Sequence, residues 1–291
     1  MKRPTPLEPV IAAVEGAGLL DAPGKAIGKR VRGTLSPGRF KDALSGTWLG
    51  HAVHPLMTDV VIGSFTSATL LDLLGGDRSG RAQSRLQAVG IAAYGPTALT
   101  GVNDWADTEP ADASVRRVGL VHAGTNLAAL SLHAASLAAR RRGDRGRAIA
   151  LGAAGTGVLA AGGFLGGHLS FAQGVGPDQT VFDPGPDEWT PVRDAGELPE
   201  GELVRAVADD TPLVLLRRGD RISALHDRCS HRGCPLSGVG EIDGDVLECG
   251  CHGSRFSLED GSVLRGPATA PQPAFDVREA DGGLEVRRRS P

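Results

Sequence analysis

Apolar residues follow two different rhythms along this chain. Between residues 43 and 175 they come in long blocks. Residues 118–139 run for 22 positions without Asp, Glu, Lys or Arg, 148–177 for 30, 86–103 for 18 and 60–71 for 12. The last of these extends backward through Leu56 and Met57 only by accepting Asp59. A membrane span needs about 20 mostly apolar residues. Two blocks exceed that length, 86–103 approaches it, and the first passes only if Asp59 faces protein. The blocks are rich in Ala, Gly, Ser and Thr, which also suits a soluble Ala-rich bundle. A soluble helix, however, carries a charged face at a period of 3.6 residues, and residues 118–139 carry none. The pattern therefore predicts four transmembrane helices. Their connections (75–85, 104–117, 140–147) are short, so neighbours should run antiparallel in an up-down four-helix bundle.

From residue 182 the rhythm changes to brief alternations at 202–207, 212–216, 222–225, 246–249, 274–277 and 284–286, separated by turn residues. Many short, closely spaced strands predict a small antiparallel β-domain. The expected protein is thus multidomain: a basic tail (1–42), an all-α membrane domain (43–175), a linker (176–186) ending in Asp183-Pro184-Gly185-Pro186, and an all-β domain (187–291).

Charge sharpens this division. Residues 43–173 hold 18 charged side chains in 131, whereas the other 160 residues hold 47. A net charge of −3 lacks the basic excess of a nucleic-acid-binding domain, so no nucleic-acid partner is expected. The tail carries all four lysines and four arginines, and no apolar run reaches the ~7–15 residues of an export signal. Short amphipathic helices, for example near 9–20, would leave it either solvated or resting on anionic membrane lipid. Eight arginines in the first and third loops, Arg78 among them, oppose ten basic residues on the tail face, Arg116 and Arg117 included. That near-balance decides little about orientation. The missing export signal leans the β-domain towards the cytoplasmic side of a bacterial-type membrane, in a multi-pass arrangement.

Four polar groups should gather at one end of the bundle: His51, His54 and Asp59; Asn103, Asp104, Trp105 and Asp107; His122 and Asn126; and His168. Ionisable groups in membrane helices are costly and are functional candidates by default. His54, Asp59, Asp104, His122 and His168 could hold a metal ion, a b-type haem or a quinone head group, or form a structural hydrogen-bond cluster. For haem, axial ligands must face one another, which selects His54, His122 and His168. His133 shares a helix face with His122 but lies deeper.

All four cysteines lie between Cys229 and Cys251. The first loop reads Cys229-Ser230-His231-Arg232-Gly233-Cys234, the second Cys249-Gly250-Cys251-His252-Gly253-Ser254. Zinc takes two cysteines and two histidines but usually draws the cysteines from one motif and the histidines from another. Here each loop supplies one of each, as needed by a cluster with two thiolates on one iron and two imidazoles on the other.

These boxes resemble the Rieske iron–sulfur family closely, over about residues 187–288. The resemblance implies a [2Fe–2S] cluster with Cys229 and Cys249 on one iron and His231 and His252 on the other. It also implies a Cys234–Cys251 disulfide, as in high-potential members; the alternative is a pair of free thiols. Ser254 matches the family serine that donates to a bridging sulfide. Phe256 stands where high-potential members have a tyrosine bonded to a ligand cysteine, which predicts a lower potential here. Residues 266–273 resemble the proline-rich loop that covers the cluster. In the helical half, Gly50-His51-Ala52-Val53-His54-Pro55-Leu56, Asp104-Trp105 and Gly166-Gly167-His168-Leu169 look like a family of small bacterial four-helix membrane domains without assigned function, sometimes fused to Rieske domains. Relatives often carry a second histidine where Asp59 stands.

The expected function is single-electron transfer between a membrane partner, with quinone as one candidate, and a soluble redox protein. A redox sensor and an electron-supplying oxygenase component are the rivals. A terminal oxygenase would need a further iron domain after the Rieske domain, for which few residues follow.

Overall fold

The computed structural model describes residues 6–74, 80–193, 198–280 and 282–289. Residues 75–79, which include Arg78 of the expected first loop, lie outside them. The chain divides into two compact units, Met1–Ser36 with Val53–Val175, and Pro37–Ala52 with Gly176–Pro291.

In the helical unit the four apolar blocks become four long helices: α4 (Val53–Leu74), α5 (Gly80–Thr108), α6 (Ala113–Arg141) and α7 (Arg145–Gly167), the last continued by a π-turn at His168–Ala172. Two shorter helices precede them, α1 (Glu8–Glu15) and α2 (Asp21–Thr34). Helix α4 packs on α5 and α7, and α6 packs on α5 and α7. Val61, Phe65, Ala129 and Leu159 form one buried core; Ile11 of α1 joins Val118 and Leu165 in another. The inward positions of α4 (Val61, Phe65, Ala68, Asp72) follow the helical period, and Asp59 falls off that face and is exposed. Asp59 thus does not face the bundle, although the helix as a whole remains long and apolar enough to span a membrane. Among the described residues two helices, Val53–Leu74 and Arg145–Ala172, are long and apolar enough to cross a membrane, whereas four were expected. The runs at 86–103 and 118–139 continue into charged ends, and α5 and α6 fall short on average hydropathy.

The tail helices are held by ion pairs. Asp21 accepts from Arg117 (2.6 and 2.9 Å) and Arg116 (3.2 Å). Glu109, only 1% exposed, pairs with Arg116 (2.7 Å) and Arg32 (2.8 Å). The Arg117 guanidinium holds the Asp21 carboxyl down at about 2. The tail thus contributes acidic Asp21 and basic Arg32 to a charge network with Glu109 and the start of α6.

In the second unit, strands β1 (Thr190–Arg193), β2 (Leu203–Ala208), β3 (Thr211–Arg218), β4 (Arg221–His226), β9 (Ala274–Ala280) and β10 (Gly283–Arg288) close a barrel in the order β1-β10-β9-β4-β3-β2. A second sheet, β5 (Gly240–Asp243), β6 (Val246–Cys249), β7 (Arg255–Ser257) and β8 (Val263–Arg265), pairs in chain order. Strand β3 serves two cores through the period-two alternation of a strand. Leu213 and Leu215 face Phe275 and Val286, while Val214 and Leu216 join Leu247 and Phe256.

Two assignments shift. Residues 37–52, including α3 (Arg39–Ser45), belong with the β unit; Asp42 accepts from the Gly266 N–H at 3.1 Å. The stretch expected to be a linker is packed onto the barrel. Asp183 accepts from Thr211 (2.7 Å) and contacts His226 Nε2 (3.1 Å), and Pro186 O accepts from Arg288 N (2.7 Å).

Candidate metal centre

The two cysteine–histidine loops leave adjacent sheets, one after β4 and one after β6, and repeat a single backbone plan. In the first, Cys229 N donates to Cys234 O and Gly233 N donates back to Cys229 O (2.9 and 2.8 Å). In the second, Cys249 N donates to Ser254 O and Gly253 N to Cys249 O (both 2.8 Å). Each loop closes on a left-handed glycine, Gly233 (φ +73°) and Gly253 (φ +78°), a conformation that costs glycine little. The plan curls each loop around its cysteine sulfur. Backbone N–H groups of His231 and Arg232 reach Cys229, and those of Cys251 and His252 reach Cys249.

Cys234 and Cys251 are joined in a disulfide. The sulfurs of Cys234, Cys249 and Cys251 lie within 4.8 Å of one another, but the disulfide removes two of the three as ligands. Cys229 and Cys249 are free and buried. The two thiols share a hydrogen bond, which lowers Cys249 and, with burial, raises Cys229. The His231 and His252 rings stand edge to face with centroids 4.9 Å apart. Burial pushes His231 well down, helped by the charges of His252 and Arg232, and takes His252 to about 4. Both imidazoles are therefore neutral near pH 7, the form that binds metal.

The Nδ1 atoms of His231 and His252 are buried without a hydrogen-bond partner. A buried polar atom left unpaired costs about 1–3 kcal/mol, so two such atoms beside two free buried thiols mark a place shaped for something that accepts their lone pairs. The donor set of two sulfurs and two ring nitrogens fits a mixed-ligand iron–sulfur cluster.

Beyond Ser254 and the 266–273 loop as a whole, the sequence did not single out the groups that brace these loops. Gln272, almost fully buried, accepts from Ser230 N (2.9 Å) and donates to His226 O and Arg228 O (both 2.6 Å). Asp227 takes Ser237 N (2.6 Å) and Ser237 Oγ (2.9 Å). Ser254, buried, accepts from Ala268 N at 2.9 Å and keeps its own proton to donate. Ser230 Oγ donates to Ala270 O (2.9 Å). The proline-rich loop is thus pinned to both ligand loops.

Of the expected membrane-end group, the structure brings His54 and His122 together, with ring centroids 6.5 Å apart. The other members have separate surroundings. His168 pairs with Glu15 at 3.0 Å, a contact that lowers the Glu15 carboxyl. Asp104 accepts from Asn103 at 3.1 Å, Asp59 is exposed and His51 belongs to the other unit. His133 is fully buried and stacks on Phe65 at 4.0 Å.

A barrel that carries two loops, each offering one cysteine and one histidine, defines an iron–sulfur protein of the mixed thiolate–imidazole class. Residues 188–276 match the Rieske [2Fe-2S] domain model, and residues 50–179 match the model described as "Predicted membrane protein (DUF2231)". The chain is 33% identical over 99 residues to the anthranilate 1,2-dioxygenase ferredoxin subunit of Burkholderia cepacia, covering 34% of this chain and 91% of that protein. It is 34% identical over 99 residues to ferredoxin CarAc of Metapseudomonas resinovorans, covering 34% and 92%. Against the cytochrome b6-f complex iron-sulfur subunit of Chlorobaculum tepidum it is 26% identical over 92 residues, 32% of this chain and 49% of the other. The chain belongs to the Rieske [2Fe–2S] family, and its Rieske domain binds a [2Fe–2S] cluster.

Proposed function

We propose that this protein is a membrane-anchored Rieske carrier that moves single electrons between a partner at the membrane and a soluble redox protein. The observation that carries the reading is the pair of buried, unpartnered Nδ1 atoms in the same two loops that hold two free buried thiols. In this reading Cys229 and Cys249 hold one iron, and His231 and His252 hold the other. The cluster, when bound, takes up and gives back one electron. Two neutral imidazoles in place of two thiolates place the potential between about −150 and +300 mV. The backbone N–H groups aimed at the sulfurs and the Ser254 hydroxyl raise it within that range by stabilising added negative charge. Phe256, fully buried with no polar atom, supplies no such help.

Anchoring rests on helices α4 and α7 and on the family description of the helical half. The anthranilate 1,2-dioxygenase ferredoxin relative, by its name, supports an oxygenase-type acceptor on the soluble side. The b6-f relative, a subunit of a cytochrome complex by its name, supports a cytochrome-type partner at the membrane. The orientation with the Rieske domain in the cytoplasm follows the sequence argument and is tested by labelling a cysteine introduced into the tail.

The deciding experiment is an EPR-monitored redox titration of the purified protein, followed by reduction with quinol or with a ferredoxin reductase. The expected result is a Rieske-type signal and turnover with at least one donor. Colourless protein containing zinc and no acid-labile sulfide would end the proposal, and a cluster that neither donor reduces would favour a sensor.

A further inference from the structure

The helical unit contains a second pair of histidines with the marks of a ligand site. His54 stands on α4 and His122 on α6, two helices that each pack on both α5 and α7. Their rings cross at 79° with centroids 6.5 Å apart. His54 Nδ1 lies 3.0 Å from Thr97 O and 3.3 Å from Thr100 Oγ1, both on α5. His122 Nδ1 lies 2.9 Å from Gly162 O on α7. A carbonyl oxygen only accepts, so Nδ1 carries the proton on each ring and Nε2 keeps the lone pair. Metal-binding histidines are usually fixed in the same way, with the second ring nitrogen donating to a carbonyl.

The neighbouring helices are cut to admit these rings. A Cβ at Gly101 would meet the His54 ring at 2.6 Å, and a Cβ at Gly166 would meet His122 at 3.1 Å. Glycine within a helix costs about 1 kcal/mol relative to alanine, and at both places the room it leaves is filled by an imidazole. The Asn126 amide lies 3.3 Å from both His122 ring nitrogens but has a better acceptor in His122 O at 2.9 Å.

The separation fits one shared ion. Two imidazole nitrogens each ~2.0–2.1 Å from a metal are about 4 Å apart, and the half-rings behind them bring the centroids to roughly 6 Å. Among the described residues no third His, Cys, Asp or Glu joins the pair as a ligand group. Zinc favours four protein or water ligands, so two imidazoles alone suit an ion that is satisfied by two, or one whose other positions are already filled.

We propose that His54 and His122 are the bis-imidazole ligands of a metal centre in the helical unit, distinct from the Rieske cluster. The shared chemistry is axial or linear ligation through two Nε2 atoms. Its source is either the iron of a haem or a cuprous ion.

The test uses the full chain purified from membranes in detergent, supplied during expression with haem precursor or copper. Metal analysis, acid-labile sulfide, optical spectra and EPR are read together. A Soret band with low-spin haem, or about one copper per chain without a Soret band, supports the site and tells the two sources apart. In His54→Ala and in His122→Gln, which keeps a donor for the Gly162 carbonyl, occupancy should fall at least about tenfold. His168→Ala should keep it. The Rieske EPR signal should persist in all three, and the helical circular-dichroism signal and its thermal midpoint should stay close to wild type, which together report folding of both units. Wild-type protein with only the two cluster irons per chain and no haem or copper overturns the proposal. So does a centre that survives both substitutions.

Discussion

Removing the Cys234–Cys251 disulfide should weaken the Rieske unit by an amount set by chain entropy. The two cysteines are 17 positions apart. In the loop-closure model a crosslink over about 17 residues is worth about 3 kcal/mol at 25 °C. Packing loss adds little, because Cys251 is exposed and Cys234 only half-buried. The double variant Cys234→Ala/Cys251→Ala should therefore lose most of that 3 kcal/mol. With urea slopes of ~1–3 kcal/mol per molar, the midpoint for bleaching of the cluster's visible absorbance should drop by roughly 1–3 M. Wild-type protein with its disulfide reduced before denaturation should behave like the variant. A midpoint within about 0.3 M of wild type would show that the ligand loops are held by their backbone plan and the Gln272 brace alone, and the entropy argument would fail.

Phe256→Tyr should raise the cluster midpoint: one hydrogen bond favouring the reduced state by ~1 kcal/mol is about 40 mV for one electron, and an unchanged EPR titration would count against a missing donor. Gln272→Ala removes partners from a buried N–H and two carbonyls and should cost several times the ~1–3 kcal/mol of one unpaired group at most, read as faster cluster loss in urea. His226 has its imidazole pushed below the ordinary value chiefly by burial, against a smaller opposite effect of Asp183. A lowered folded value means the stabilisation is complete above about pH 6.5 and is lost as pH falls through the folded value; a thermal midpoint flat from pH 8 to 4 would refute it. Asp21, held at about 2, contributes docking of the tail helices that is complete above about pH 4 and lost towards pH 2. Limited proteolysis of the tail should rise across that window in wild type and show no such step in Asp21→Asn.

The proposed ligand residues stand out in the sequence because their signal is local. Cys229 with His231, and Cys249 with His252, sit two and three positions apart, and few chemistries ask for that mixed supply. What stayed hidden is pairing across long separations. Asp42 meets Gly266 across 224 positions, and nothing in the spacing of a basic tail announces that its last helix belongs to the β unit. Asp183 looks like a linker residue because a carboxylate beside two prolines has no period, yet it is matched to His226 and Thr211. The same limit governs the helical half. Block length showed where the helices lie, but each residue turns a helix by about 100°, so block length alone could not tell which of His54, Asp59 and Asp72 points inward. The glycines carry the missing information. Gly101 and Gly166 lie opposite His54 and His122 because only a bare backbone leaves space for an imidazole there, whereas Asp59 fell outside the α4 face that supplies Val61, Phe65 and Asp72. With that rule, three of the helical unit's polar groupings are the His54–His122 pair, a tail clasp of Glu15 with His168, and a buried Asp72–Arg140 pair at 2.5 Å. These are three structural solutions to the cost of polar groups inside a helical bundle, and the first is the one on which the proposed metal centre depends, because its rings spend Nδ1 on carbonyl oxygens.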